Sequence, residues 1–274
     1  MIGLRKNPVK KPKRRHLPEA LIFDIDGTLL DVRNSFYATT IRASEVWWEL
    51  IEKSLPPFKV DMALIERLKA CPGFNDDWEL TMAIILLQKW VNVRGGKPLE
   101  VIDSLSPIGL SDLEEKLNLS LPQEDKSFIR KICMEMYGGR ECEFLYGFKP
   151  TFWKGDGLWK RERPLFDLSE VQKIFKIGIY TGRNPRETSL ALRILKLNLP
   201  EGYVINAGDF LKPDPRGLFK LVNEMKVKHA VFIGDSEDDR LTVLNYRRKF
   251  YYPFVEFVSV RDTSTLKTFR LSRL

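Results

Sequence analysis

The sequence predicts an α/β protein with a doubly wound, mostly parallel sheet and an inserted α-helical module. From residue 165 onwards, short apolar runs alternate with helical patterns, as in a parallel sheet with helices on both faces. Between residue 36 and about residue 137, in contrast, we find helical patterns and no convincing strand. Such a stretch cannot complete a parallel sheet, so it should form a separate helical unit.

The first predicted strand is the apolar run 21–23, which leads directly into Asp24. Asp26 follows two residues later, and Gly27 begins a turn that can re-aim both side chains. Two carboxylates at the end of a buried strand repel each other unless a cation compensates them, and Mg²⁺ suits such oxygen ligands. The alternative is a helix N-cap, which explains one Asp but not the pair followed by Gly27 and Thr28.

Helical periodicity predicts several helices in the insert, over 35–54, 60–70, 79–91, 110–119 and 126–137. Proline and glycine pairs separate them. Asn75 or Asp76 is a candidate cap for the third helix, and Ser111, Gln123 and Asp125 are candidates for the last two. The glycine-containing stretch 138–162 is predicted to be the returning loop. All six tryptophans lie between residues 47 and 159, and most are expected to be core residues of this module.

The second half of the chain supplies the other strands, over 177–180, 203–205, 230–233 and 254–260. Helices are predicted over 168–175, from Asn184-Pro185 onwards, and over 213–225 and 239–249. Polar residues follow these strands: Thr181-Gly182-Arg183, then Lys212, then Gly234-Asp235 with Asp239 four residues later. Because functional loops of open α/β sheets lie at the strands' carboxyl ends, these residues should meet there.

These four segments, in order and residue type, resemble the four motifs of the haloacid dehalogenase (HAD) superfamily, of the phosphoglycolate phosphatase-like subfamily I. The resemblance implies an α/β core over 18–35 and 158–274 and a helical cap over 36–157, inserted after the first motif. Residues 1–17 would form a basic, mostly disordered arm.

The resemblance also implies a reaction and a Mg²⁺ site. Asp24 would be the nucleophile that forms an aspartyl-phosphate, and Asp26 the general acid and base. Asp24, the backbone carbonyl of Asp26, and Asp235 would bind the metal, with Asp239 holding a metal-bound water or Lys212. A charged start of the last helix is the alternative interpretation of the acids at 235–239.

Four residues, Thr181, Gly182, Arg183 and Lys212, are candidates for binding the substrate. The Thr181 hydroxyl and the Gly182 amide would contact its oxygens, and Lys212 would supply positive charge where negative charge develops. Taken singly, Thr181 could be a plain strand-end residue and Lys212 a surface lysine. Arg183 could either bind the substrate or face water.

The second Asp of the first motif argues against dehalogenation, because family members that remove halide lack that acid. The expected function is therefore a Mg²⁺-dependent phosphatase of a small phosphorylated metabolite. The alternatives are a sugar-phosphate phosphomutase and a nucleic-acid-associated phosphatase that uses the basic arm.

In the cap, Asn75 and Asp77 are expected to be helix caps. In the last helix, Arg240, Leu241 and Asn245 replace the small residues typical of the family. This departure puts the local packing in doubt, but not the metal site.

Charge and cysteine content limit the possible binding partners and the cellular location of the protein. Of the net charge of +8, seven positive charges precede the first acid, Glu19, which leaves +1 for the rest of the chain. The folded body is therefore not expected to bind nucleic acid. The odd number of cysteines, three, argues for free thiols and a cytoplasmic location. The chain has only two histidines, so a histidine metal cluster is not expected. No apolar run is long enough to span a membrane, so a membrane is not an expected partner. The oligomeric state stays open.

Overall fold

The computed structural model describes residues 17–74 and 76–260. A five-stranded parallel sheet forms its centre, with strands β1 (Ala20–Phe23), β4 (Lys176–Tyr180), β5 (Val204–Ile205), β6 (His229–Gly234) and β7 (Phe254–Ser259). Their spatial order is β5-β4-β1-β6-β7. The predicted strands are confirmed within about a residue. The basic arm falls on residues that are almost all outside the described part of the chain, so its character stays a prediction.

The central strand β1 is buried on both faces, and this explains its uninterrupted apolar sequence. Leu21 and Phe23 belong to the apolar cluster on one face, and Ala20 and Ile22 to the cluster on the other. Helix α8 (Pro185–Ile194) packs on the first face. Helices α9 (Pro215–Glu224) and α10 (Glu237–Lys249) pack on the second. Helices therefore cover both faces, and the predicted doubly wound α/β fold is confirmed.

Among the described residues, seven α-helices lie between β1 and β4, in the stretch predicted to be helical. They are α1 (Ala38–Trp47), α2 (Met62–Lys69), α3 (Asp77–Arg94), α4 (Pro98–Leu105), α5 (Gly109–Leu117), α6 (Gln123–Gly138) and α7 (Cys142–Tyr146). Helices α1, α3 and α6 contact one another, and Trp47 at the end of α1 and the following Trp48 are buried. The same apolar cluster continues onto the first face of the sheet. The borders of the two domains, as opposed to the helical insert itself, stay a prediction.

Two short strands that the sequence did not predict join the sheet domain to the helices. Strand β2 (Leu30–Asp31) pairs antiparallel with β3 (Arg163–Pro164), where the chain leaves for the helical module and where it returns. The returning segment is also held by the buried Glu135 carboxylate, which accepts hydrogen bonds from the amides of residues 151–153. These contacts satisfy backbone groups that a free loop would leave to water.

Several helix predictions need correction. Helices α4 and α7 were not predicted, since α4 begins at a proline and α7 is one turn within the glycine-containing stretch. The helix predicted over 168–175 is a 3₁₀ turn at Val171–Lys173. Asp76 and Asn184 are confirmed as caps, whereas α5 and α6 follow Ile108 and Pro122, not the predicted caps. Cap preference is local, and burial of the apolar face sets where α5 and α6 begin.

Candidate active site

The four polar segments meet at the carboxyl edge of the sheet. Asp24 follows β1, Thr181 follows β4 and Asp235 follows β6, while Lys212 lies in the loop between β5 and α9. Strand β1 pairs with both β4 and β6, so the ends of these three strands are adjacent. A common edge follows directly from the parallel arrangement.

Three carboxylates converge at this edge. Asp24, Asp235 and Asp239 each present an oxygen, and these oxygens lie within 4.8 Å of one another. Burial raises the pKa of Asp24, and the neighbouring Asp239, Asp26 and Asp235 raise it further, against the attraction of Lys212. Burial, followed by Asp239, raises the pKa of Asp235 to about 6. The cluster therefore carries more negative charge than the chain neutralises, as expected of residues arranged around a cation.

Lys212 is the positive charge that the chain itself supplies to this cluster. Its Nζ lies 2.7 Å from Oδ1 of Asp24 and 2.6 Å from Oδ1 of Asp239, and its side chain is fully buried. Burial by itself would lower the pKa of Lys212, but Asp239 and Asp24 hold it above its ordinary value. The surface-lysine interpretation of Lys212 is therefore wrong.

Asp239 is fully engaged by the protein. Its Oδ1 accepts from Lys212, and its Oδ2 accepts from the amide of Ser236 at 3.0 Å and from the Ser236 hydroxyl at 2.7 Å. Ser236 in turn caps α10 by accepting from the Asp239 amide at 3.2 Å. Of the two roles expected for Asp239, contact with Lys212 is the one observed.

Two glycines of the motifs make room for these carboxylates. Gly27 has φ +69, and a Cβ there would collide with the Asp235 carboxylate. A Cβ on Gly234 would collide with the Asp239 carboxylate. The left-handed backbone of Gly27 is one that other residues rarely adopt. Close approach between the first and fourth motifs therefore requires glycine at position 27, and the position of the Asp239 carboxylate within the fourth motif requires glycine at position 234.

Gly182 and Arg183 line the cavity above the carboxylates, whereas Thr181 is buried. The Thr181 Oγ1 accepts a hydrogen bond from the amide of Arg183 at 3.3 Å. Arg183 is 2% exposed, so the water-facing alternative is wrong. Its guanidinium instead donates to Oδ1 of Asp26, with Nε at 2.9 Å.

The cavity has a volume of about 70 Å³ and lies between the sheet edge and the helical module. Phe36, Phe74 and Trp78 of the module form apolar walls opposite Asp24, Asp26 and Asp235. Next to them, the amide of Gly73 donates to Oδ1 of Asp238 at 3.2 Å, which links the module to the start of α10.

A second lysine reaches this cavity, and the sequence did not identify it. Nζ of Lys69, at the end of α2, lies 2.9 Å from Oδ1 of Asp77, and both side chains are nearly buried. Asp77 is thus not the cap of α3, which is Asp76. The predicted cap Asn75 lies outside the described residues. A lysine in the last turn of a predicted helix carries no local signal that separates it from a surface lysine.

The unusual residues of α10 fit without disturbing the site. Arg240 pairs with Glu237 at the surface. Asn245 donates through Nδ2 to the carbonyl of Pro213 at 3.2 Å, which holds the loop that carries Lys212. The doubt about packing at Arg240 and Asn245 is therefore resolved. The three cysteines are buried free thiols, as expected.

No helix within the described residues is both long and apolar enough to cross a bilayer. No family model matches the sequence, and no curated protein matches it.

Solved structures do resemble this one. Phosphatase Tt82 from Thermococcus thioreducens shares 29% sequence identity, with 88% of this chain and 92% of that chain covered, at a TM-score of 0.66. Two proteins provisionally assigned as phosphoglycolate phosphatases share the fold. The one from Lactobacillus plantarum is 14% identical, covering 89% and 86% of the two chains, with a TM-score of 0.50. The one from Lactobacillus delbrueckii subsp. bulgaricus is 16% identical, covering 88% and 85%, with a TM-score of 0.51.

Proposed function

We propose that this chain, a phosphoric monoester hydrolase of the haloacid dehalogenase superfamily, is a Mg²⁺-dependent, cytoplasmic phosphatase of a small phosphorylated metabolite. The observation that carries the proposal is the meeting of Asp24, Asp235 and Asp239 with Lys212 at the carboxyl edge of the sheet. These residues come from three of the four predicted segments, and chance would not place them around one point.

The donor set supports Mg²⁺. Its members are carboxylate oxygens, the ligand type that a hard divalent cation prefers. Because both oxygens of Asp239 are already engaged, Asp24 and Asp235 would be the direct side-chain ligands, together with the backbone carbonyl of Asp26. When bound, Mg²⁺ would offset the repulsion between a phosphate dianion and an attacking carboxylate.

The chain's own residues would then divide the reaction into two steps. Asp24 attacks phosphorus and forms an aspartyl-phosphate, while Asp26 gives a proton to the departing alkoxide. In the second step Asp26 takes a proton from the water that attacks the aspartyl-phosphate. Lys212, the Thr181 hydroxyl and the Gly182 amide would stabilise the negative charge on the phosphoryl oxygens.

The size of the cavity supports a small substrate. A cavity of about 70 Å³, bounded by the helical module, is small for a ligand site, so a large substrate would require the module to move. The walls combine the Lys69–Asp77 pair with aromatic rings, so a compact polar molecule fits better than a polymer end.

The test is a screen of small phosphorylated metabolites with detection of inorganic phosphate, on protein stripped with EDTA and on the same protein with Mg²⁺ restored. We expect phosphate release with Mg²⁺ and none after EDTA. Turnover that does not depend on a divalent metal would contradict the ligand assignment. Conversion of one isomer to another without phosphate release would instead identify the chain as a phosphomutase.

A further inference from the structure

The guanidinium of Arg183 lies between two carboxylates that come from distant parts of the chain. Nε donates to Oδ1 of Asp26 at 2.9 Å, and Nη2 donates both to that oxygen and to Oε1 of Glu162, the latter at 2.9 Å. The arginine and glutamate side chains are 1% and 0% exposed. A buried arginine fork shared by two carboxylates is a rigid, charge-assisted contact.

Other side chains fix the arginine from the remaining directions. Nη1 donates to the hydroxyl of Tyr137 at 3.1 Å, and the ring of Phe36 lies 5.0 Å from the guanidinium carbon. Tyr137 and Ser35 both donate to Oε1 of Glu162, at 3.0 Å and 3.1 Å. The position of Arg183 is therefore determined by packing and hydrogen bonds, and it cannot turn towards a ligand without breaking several of them.

The members of this network lie on both sides of the cavity. Ser35 belongs to the segment that leaves the sheet, Glu162 to the segment that returns, and Tyr137 to helix α6. Asp26 lies at the sheet edge and lines the cavity. Arg183 thus links Asp26, the carboxylate at the sheet edge, to a network that includes both the segment leading into the helical module and the segment returning from it.

The contacts of Asp26 show what this connection controls. Arg183 engages Oδ1 twice, while no group in residues 17–74 or 76–260 donates to Oδ2. The Asp26 side chain is 19% exposed. Arg183 therefore holds one oxygen of Asp26, the described residues give the other oxygen no donor, and the side chain lines the cavity.

We infer that Arg183 is a positioning residue, which fixes Oδ1 of Asp26 so that Oδ2 meets the leaving-group oxygen. The inference rests on the proposed function, in which the phosphorus–alkoxide bond breaks as Asp24 bonds to phosphorus and the proton on Oδ2 passes to the alkoxide. Glu162 and Tyr137 act one step further away, by holding Arg183. The arginine itself does not have to touch the substrate.

Two substrates with different leaving groups test this role. p-Nitrophenyl phosphate releases an acidic phenol, which departs without a proton, whereas an alkyl phosphate found in the metabolite screen, or 2-phosphoglycolate, requires one. We expect Arg183→Met to lower kcat for the alkyl phosphate about 100-fold and for p-nitrophenyl phosphate less than about 3-fold. Arg183→Lys, which keeps the charge but not the fork, should fall between Arg183→Met and the native protein.

Asp26→Asn and the double variant Asp26→Asn/Arg183→Met complete the cycle. If Arg183 acts through Asp26, the double variant is about as slow on the alkyl phosphate as Asp26→Asn alone. If Arg183→Met slows both substrates equally while Asp26→Asn discriminates between them, the positioning role is refuted and the proposed function stands. If Asp26→Asn does not discriminate, the general-acid assignment fails, and this inference fails with it.

Arg193→Met is the matched control, because Arg193 is exposed on the adjacent helix α8 and should leave both substrates unaffected. If Arg183→Met does not fold, Tyr137→Phe provides the second test. This substitution removes the hydroxyl that accepts a hydrogen bond from Nη1 of Arg183. It should selectively slow turnover of the alkyl phosphate, by about 3-fold to 10-fold. Equal loss on both substrates in Tyr137→Phe and Arg183→Lys would also overturn the inference.

Discussion

Replacing Asp235 with Asn should stabilise the metal-free protein at neutral and alkaline pH. Burial and the neighbouring Asp239 raise the pKa of Asp235 from 3.8 to about 6. Because the pKa in the folded state is higher than in the unfolded state, the folded protein binds more protons between these two values. The stability of the metal-free protein therefore falls as pH rises from about 4 to about 6, and the full penalty applies above that.

The magnitude follows from the size of this shift. About two pKa units at about 1.4 kcal/mol each correspond to roughly 3 kcal/mol, which Asp235→Asn should recover at pH 8 in EDTA. For a chain of this length that is an increase in melting temperature of about 6 °C. Near pH 4 the aspartate is itself neutral, so the gain should vanish.

Scanning calorimetry in EDTA at pH 8 and near pH 4 measures both values. Asp103→Asn is the control, because that carboxylate is 60% exposed and paired with Arg67 at the surface, and its removal should change stability by less than about 1 kcal/mol. Added Mg²⁺ should stabilise the native protein and not Asp235→Asn. A gain that is equal at the two pH values, or no gain at pH 8, would refute the charge-repulsion argument.

Three further substitutions test the proposed site. Asp24→Asn should abolish phosphate release without lowering the melting temperature, and retention of near-native activity would show that the nucleophile is misassigned. Lys212→Met should reduce kcat about 100-fold or more, and should destabilise the fold by about 3 kcal/mol because it leaves Asp24 and Asp239 unpaired; the exposed Lys220→Met is its control in both assays. Lys69→Met should raise KM about tenfold and leave kcat nearly unchanged if its ammonium contacts an anionic group of the substrate, and an unchanged KM would assign Lys69 to the structural pair with Asp77.

Much of the molecule was predictable from local sequence signals. Short apolar runs placed the strands of the sheet, and the parallel arrangement then required the residues after β1, β4 and β6 to share an edge. That argument by itself predicts that Asp24, Thr181 and Asp235 lie at one edge of the sheet. The helical insert followed from the absence of strand patterns over a long stretch. The one-turn helix α7 and the strands β2 and β3 are too short to produce such a pattern.

The amino-acid sequence by itself determined the α/β fold class, the inserted helices and the residues at the carboxyl edge, because periodicity, glycine positions and strand ends are short-range properties. Tertiary structure alone decided that Arg183 is buried against Asp26 and Glu162, and that Lys69 pairs with Asp77 in the cavity. It also showed which of the two partners expected for Asp239 is in contact with it, namely Lys212. These contacts depend on burial and on side chains brought together from separate elements. The charge of a lysine or arginine is visible in the sequence, but its partner and its exposure to water are properties of the folded chain.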